Sequence, residues 1–219
     1  SQSVTNGIIS NTEMVMPPIF ADSGLELEGE DVGSIVRWIG HDALIRPGNS
    51  GGPLIDRNGN IVGINEISIG LSGAIPSNLA KSVSDSLIKS GKVTRSWLGI
   101  EVQPLLRSSE LKKGILVSAV RDDSPAAKAE LKPGDVILSI NGTDVLARFK
   151  EQIPLFNQFA ANLPIGKPVN IQVLRDGKEI ALTVTPTERL KAADRQYEFK
   201  SWGICATNIT YQLQDRMRL

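Results

Sequence analysis

Up to residue 90 the apolar positions fall in short, β-branched runs separated by Gly and Pro. Ile8-Ile9, Ser34-Ile35-Val36-Arg37-Trp38-Ile39 and Ile61-Val62-Gly63-Ile64-Asn65 predict strands. Asp56-Arg57-Asn58-Gly59-Asn60 sits between two such runs and predicts a hairpin turn with Gly59 at positive φ. The acidic, Gly-containing stretch 24–31 reads as a surface loop. From Ser77 the period becomes helical, with Leu79, Val83, Leu87 and Ile88 recurring until Gly91 and Ser77 as the N-cap. This predicts an antiparallel β unit closed by one helix.

A second unit starts near Ser96. Leu98, Ile100 and Val102 alternate, and the polar stretch Arg107 to Lys113 follows. Strands are predicted over Gly114–Val120, Val136–Ile140, Val169–Arg175 and Glu179–Pro186, the last two pairing across Asp176-Gly177-Lys178. Ser124-Pro125 opens a short helix, and Glu151 to Asn162 carries Ile153, Phe156 and Phe159 on one helical face. One repeat shows: Ser96-Trp97-Leu98-Gly99-Ile100 returns, abbreviated, as Ser201-Trp202-Gly203-Ile204. The fold class is mainly β with a few helices.

Composition narrows the chemistry. Lys+Arg and Asp+Glu both number 24, and this neutrality argues against nucleic acid as a partner. No apolar run is long enough for a membrane-spanning helix. A single cysteine, Cys205, excludes a disulfide framework and a multi-Cys metal site, and reads as a buried small apolar residue. No metal or cofactor is expected. With one histidine, His41, any imidazole base is that residue or lies outside the sequence. No signal peptide is evident, and both termini look cut.

The sharpest motif is Pro47-Gly48-Asn49-Ser50-Gly51-Gly52-Pro53-Leu54. A serine nucleophile needs a base to take its proton and backbone N–H groups aimed at the developing oxyanion. Glycines on both sides of Ser50 allow a tight loop to present such amides. The same string also occurs in plain turns.

Its context resembles the HtrA (Deg, DegP-like) family of trypsin-like serine proteases. Val4-Thr5-Asn6-Gly7-Ile8-Ile9-Ser10 is similar to a strand of that family's C-terminal barrel, and His41 to Leu54 to its nucleophile segment. Gly63-Ile64-Asn65 and Ala74-Ile75-Pro76-Ser77-Asn78 resemble its later blocks, in order. The resemblance implies Ser50 as nucleophile and the Gly48 and Ser50 amides as the oxyanion hole. It also implies Glu66-Ile67-Ser68 as the strand that pairs with substrate backbone, and Leu44 at the base of the primary specificity pocket. Gly73 stands where the family usually has an aromatic residue, which predicts a wider or more mobile pocket floor. His41 replaces a family Thr and does not occupy the position of the family's base. The triad His and Asp of such a fold lie upstream of Ser1, so this chain alone is expected to be inactive.

Gly114 to Val120, Ser124-Pro125-Ala126-Ala127, Leu131-Lys132-Pro133-Gly134-Asp135 and Ile140-Asn141-Gly142 resemble a PDZ domain of the type that follows such proteases. That resemblance maps the carboxylate-binding loop to Trp97-Leu98-Gly99-Ile100, where free peptide C-termini add a strand. Glu130 departs from it by replacing a Gly. The implied division is an incomplete protease barrel over 1–93, a PDZ domain over 94–189 and the truncated start of a second PDZ domain over 197–219. Protein and peptide substrates (misfolded or envelope proteins), a trimer-based homo-oligomer of the full-length protein and a location in the bacterial cell envelope or periplasm, or in an organelle of bacterial descent, are implied in turn. The competing reading is a catalytically inactive scaffold that uses only its PDZ unit.

Overall fold

The computed structural model describes residues 3–15, 26–27, 30–31, 33–189 and 197–206. In the first unit, strands β1 (Ile9–Met14), β4 (Trp38–His41), β5 (Pro53–Ile55), β6 (Ile61–Ile69) and β7 (Leu71–Pro76) make a five-stranded sheet of order β1-β4-β7-β6-β5, every ladder antiparallel. Two-residue strands β2 (Glu26–Leu27) and β3 (Glu30–Asp31) pair with each other, inside the stretch expected to be only a loop. The rest of 24–29 lies outside the described residues.

Two strands are displaced from their expected positions. Ile35 and Val36 are consecutive and both buried, which alternation on a one-sided sheet forbids, so β4 starts only at Trp38. The first strand likewise starts at Ile9, after the Ile8 amide has donated to the Asp42 carboxylate at 2.7 Å. At 56–60 the expected turn forms: Asp56 Oδ1 accepts from the Asn58 and Asn60 amides at 2.8 and 2.9 Å, and Gly59 has φ +85°.

Helix α1 (Ser77–Ser90) ends as expected, with Gly91 at φ 70° donating to the Leu87 carbonyl. Ser77 does not cap it. Pro76 is still in the β7 ladder opposite Gly63, so strand runs into helix with no turn in which a cap residue could sit. The core of this unit is small: Met14, Ile35, Val36, Trp38 and Ile67, with Leu71, Ile75 and Leu79 against it.

The second unit comprises β8 (Ser96–Trp97), β9 (Ile100–Gln103), β10 (Ile115–Val120), α2 (Pro125–Lys128), β11 (Val136–Ile140), β12 (Thr143–Asp144), α3 (Ile153–Ala161), β13 (Val169–Arg175), β14 (Lys178–Val184) and β15 (Thr187–Glu188). Its main sheet runs β14-β13-β11-β10-β9, so β9 is an edge, and β8 pairs with β15. Ser124 caps α2 by accepting from the Ala127 amide at 3.0 Å. Asp176 and Gly177 both have positive φ, 50° and 75°, closing β13 onto β14 in a two-residue turn. Ile115, Ile137, Ile140, Val169, Ile171, Val173 and Val184 fill a larger core, on which Phe156 is buried. A last hairpin, β16 (Tyr197–Phe199) and β17 (Ile204–Ala206), stacks Phe199 on Trp202 and leaves Cys205 exposed, not buried as expected.

Glu130 takes the left-handed φ of 60° that a glycine would supply. Arg175 holds the turn there: its guanidinium donates to the Glu130 carbonyl at 2.8 Å and to both Asp135 oxygens at 2.6 and 2.7 Å. Replacing Glu130 with Gly should relieve backbone strain and stabilise this unit by roughly 0.5–1 kcal/mol. Denaturant unfolding checks it, and an unchanged or lower midpoint would show that the position is unstrained.

Candidate active site and peptide groove

The Ser50 loop is built from its glycines. Gly48 and Gly51 have φ of +96° and +84°, conformations that exclude side chains even though open space surrounds both. The Asn49 amide donates to Arg46, Gly52 to Asn49 and Gly51 to the Asn65 carbonyl, at 2.9, 3.0 and 2.8 Å. Among the described residues nothing accepts from the Gly48 and Ser50 amides. Two alternate amides of one loop are thus left unpaired beside an exposed serine, whose Oγ donates to the Glu66 carbonyl at 3.1 Å.

Glu66 is the bulged residue of β6, between the Asn65↔Ala74 and Ile67↔Gly73 pairs. Its carboxylate accepts from Trp38 Nε1 at 2.6 Å. Burial raises its pKa, and the Trp38 hydrogen bond offsets part of that rise. Beyond Asn65, β5 no longer pairs with β6, so residues 66–68 form an open edge next to Ser50. Ile67 points into the core and Ser68 is exposed. Leu44 is half exposed on the segment leading to the loop.

Gly73 differs from the expectation of a widened pocket. A Cβ there would stand 2.8 Å from Met14 Cε, 2.9 Å from Ile67 Cγ1 and 3.3 Å from Trp38 Cβ. Those three side chains already occupy the space beside it, so no larger residue fits without displacing them. Trp38, fully buried, is the residue that sequence reasoning passed over. Its signal was its place within the apolar run 35–39.

His41 is buried at 2% exposure, and its Nε2 lies 3.1 Å from Asn65 Oδ1. It makes no contact with Ser50 that would let it act as base.

In the second unit, Leu98 and Gly99 turn their carbonyls inward, accepting from the Ala126 and Arg121 amides at 2.9 Å each. Among the described residues the amides of Leu98 and Gly99 have no acceptor. Gly99 has φ +79°, and a Cβ would lie 2.2 Å from that of Ser124, so only glycine permits this approach. These amides open into a groove of about 680 Å³ between the β9 edge and α3, lined by Ile100, Val102, Phe156 and Ala160 among others. Ser34 and Ile35 of the first unit line it too, and Asn157 of α3 donates to the Ser34 carbonyl at 2.8 Å.

Comparison with known proteins bears on both units. The sequence model described as "Trypsin-like peptidase domain" matches residues 1–64, and that described as "PDZ domain" matches residues 96–185. A "Probable periplasmic serine endoprotease DegP-like" of Pseudomonas savastanoi pv. phaseolicola is 39% identical over 196 residues, 84% of this chain and 37% of that protein. One of the same description from Chlamydia trachomatis is 37% identical over 195 residues, 83% of this chain and 38% of the relative. Among solved structures, "HtrA-type protease AlgW with decapeptide" superposes with TM-score 0.67 at 36% identity, over 86% of this chain and 57% of that one. In both units the chain is similar to HtrA-type proteases.

The chain thus spans well under half the length of these curated HtrA relatives. A serine endoprotease from Yersinia pestis superposes with TM-score 0.58 at 31% identity, over 85% of this chain and 57% of that one. Among the described residues no three metal-ligating side chains come together.

Proposed function

We propose that the protein is a serine endopeptidase in which Ser50 attacks the scissile carbonyl and the Gly48 and Ser50 amides receive the oxyanion. The observation that carries this reading is the pair of amides left without acceptors among the described residues, in a loop where the Asn49, Gly51 and Gly52 amides are satisfied. A substrate strand would lie along the open edge 66–68, with its side chain directed toward Leu44. The base comes from outside residues 1–219, because the sequence holds one histidine and that ring is buried against Asn65. By likeness to relatives named periplasmic, the protein acts in the bacterial cell envelope, and its substrates are misfolded or envelope proteins.

The test is covalent labelling. The 219-residue chain should not react with a fluorophosphonate probe, whereas the same chain joined to the upstream barrel of a relative should label at Ser50. Labelling of the short chain at a comparable rate would assign the base to His41 and overturn this account.

We further propose that the groove beside Gly99 takes free peptide C-termini, the carboxylate on the Leu98 and Gly99 amides and the peptide backbone on β9. The name of one structural relative records a bound decapeptide. An apolar-ended peptide should bind the chain with a Kd on the order of micromolar. Amidating its C-terminus should weaken binding at least tenfold by calorimetry. Equal affinity for acid and amide would show that the loop only closes the core.

A further inference from the structure

We propose that His41 is a positioning residue for the Ser50 loop, acting through the side chain of Asn65. The proposal rests on the reading of Ser50 as nucleophile.

The direction of the contact follows from elementary donor and acceptor chemistry. A backbone carbonyl only accepts, so the Asn65 side-chain atom facing the Pro53 carbonyl, at a long 3.5 Å, is Nδ2. That turns Oδ1 toward His41, 3.1 Å from Nε2. Oδ1 also only accepts, so Nε2 carries the proton and the imidazole is held in one tautomer. Nδ1 is left as a bare acceptor, and among the described residues this buried atom has no partner. A buried acceptor without a partner is destabilising, and a leucine or methionine at position 41 would avoid it. Packing alone therefore gives no reason for an imidazole here. Its polar contact with Asn65 does.

Asn65 is where that contact has effect. Its carbonyl accepts from Gly51 and its amide donates to Gly52, at 2.8 and 2.9 Å, and its side chain reaches Pro53. Three consecutive loop residues after Ser50 are thus tied to one residue of β6, and His41 orients that residue's side chain. Without the Nε2 donor the Asn65 amide is free to rotate, the Pro53 carbonyl loses its partner, and the loop loosens. The unpaired Gly48 and Ser50 amides then lose their fixed direction, while the 66–68 edge is untouched. The loss should fall on kcat and not on KM.

Hydrogen exchange of the 219-residue chain measures the loop directly. His41→Leu should speed exchange at the Gly51 and Gly52 amides at least tenfold. His41→Gln, whose amide can donate to Asn65 Oδ1, should stay within about threefold of the parent. The Val169–Val184 amides should be unchanged in both. If His41→Leu does not fold, His41→Met carries the same expectation. With the protease barrel complete, the apolar variant should lose at least tenfold in kcat with KM within twofold, and His41→Gln should recover most of it. Unchanged loop exchange in the apolar variant, equal damage in His41→Gln, or a loss confined to KM would each overturn the proposal. Retained hydrolysis by Ser50→Ala would instead overturn the nucleophile assignment, and the exchange result would stand apart from it.

Discussion

Ser50→Ala, in the protein with its protease barrel complete, is expected to lower hydrolysis of an unfolded substrate such as casein by about 10⁴-fold or more. The size follows from losing the atom that, as proposed, forms the covalent intermediate, which the remaining groups cannot replace. Stability should hardly change. Ser50 is exposed, and the one hydrogen bond it gives up goes to the Glu66 carbonyl on an open strand edge, worth about 1 kcal/mol or less. Steady-state rates together with thermal unfolding separate the two effects. A variant that folds and still turns over casein would exclude Ser50 as nucleophile.

The second large effect is on stability. Asp135 is 1% exposed and holds the Arg175 guanidinium with both oxygens while accepting from the Lys132 amide at 2.8 Å. Asp135→Ala leaves that guanidinium without its carboxylate and frees the turn at Glu130, so a loss of about 3–5 kcal/mol is expected. Burial alone would raise the Asp135 pKa, but the Arg175 hydrogen bonds and charge, with the Lys132 amide, bring it below the ordinary carboxylate value. A carboxylate whose folded pKa is depressed stabilises the fold above its unfolded pKa and loses that contribution as pH falls through the folded value. Denaturant unfolding of the parent should therefore weaken progressively below about pH 4, and the Asp135→Ala variant should show less of this dependence. A variant within 1 kcal/mol of the parent at neutral pH would show that the pair contributes little.

Elements with a strong local signal were legible in the sequence. Val136–Ile140 and Val169–Arg175 match their expected bounds because alternation and flanking turns act together there. The tight backbone of the Ser50 loop was legible as well, since Gly48 and Gly51 take the positive φ that glycines on both sides of Ser50 allow. What escaped was set by partners distant in sequence. The β4 strand moved because Ile35 and Val36 are both buried, and Ser77 lost its capping role because Pro76 stays in the ladder. The filled space at Gly73 depends on Met14, Ile67 and Trp38 arriving from three other strands, which no local pattern encodes. Glu130 read as a departure from a glycine position, yet it keeps the glycine conformation because Arg175, 45 residues on, fixes its carbonyl.

The pairing of β8 with β15 has a mechanical consequence. Its two rungs, Thr187 opposite Trp97 and Glu188 opposite Ser96, fasten the exit of the PDZ unit to its entrance, and the Arg189 amide adds a bond to the Arg95 carbonyl at 2.8 Å. Tension on the chain after residue 189 is carried first by this short clasp and only then by the large core. The clasp ends at Trp97, one residue before the amides of Leu98 and Gly99. Whatever pulls on the segment beyond the PDZ unit therefore pulls on the rim of its groove, so the grip on a peptide end proposed above would be coupled to load transmitted along the chain.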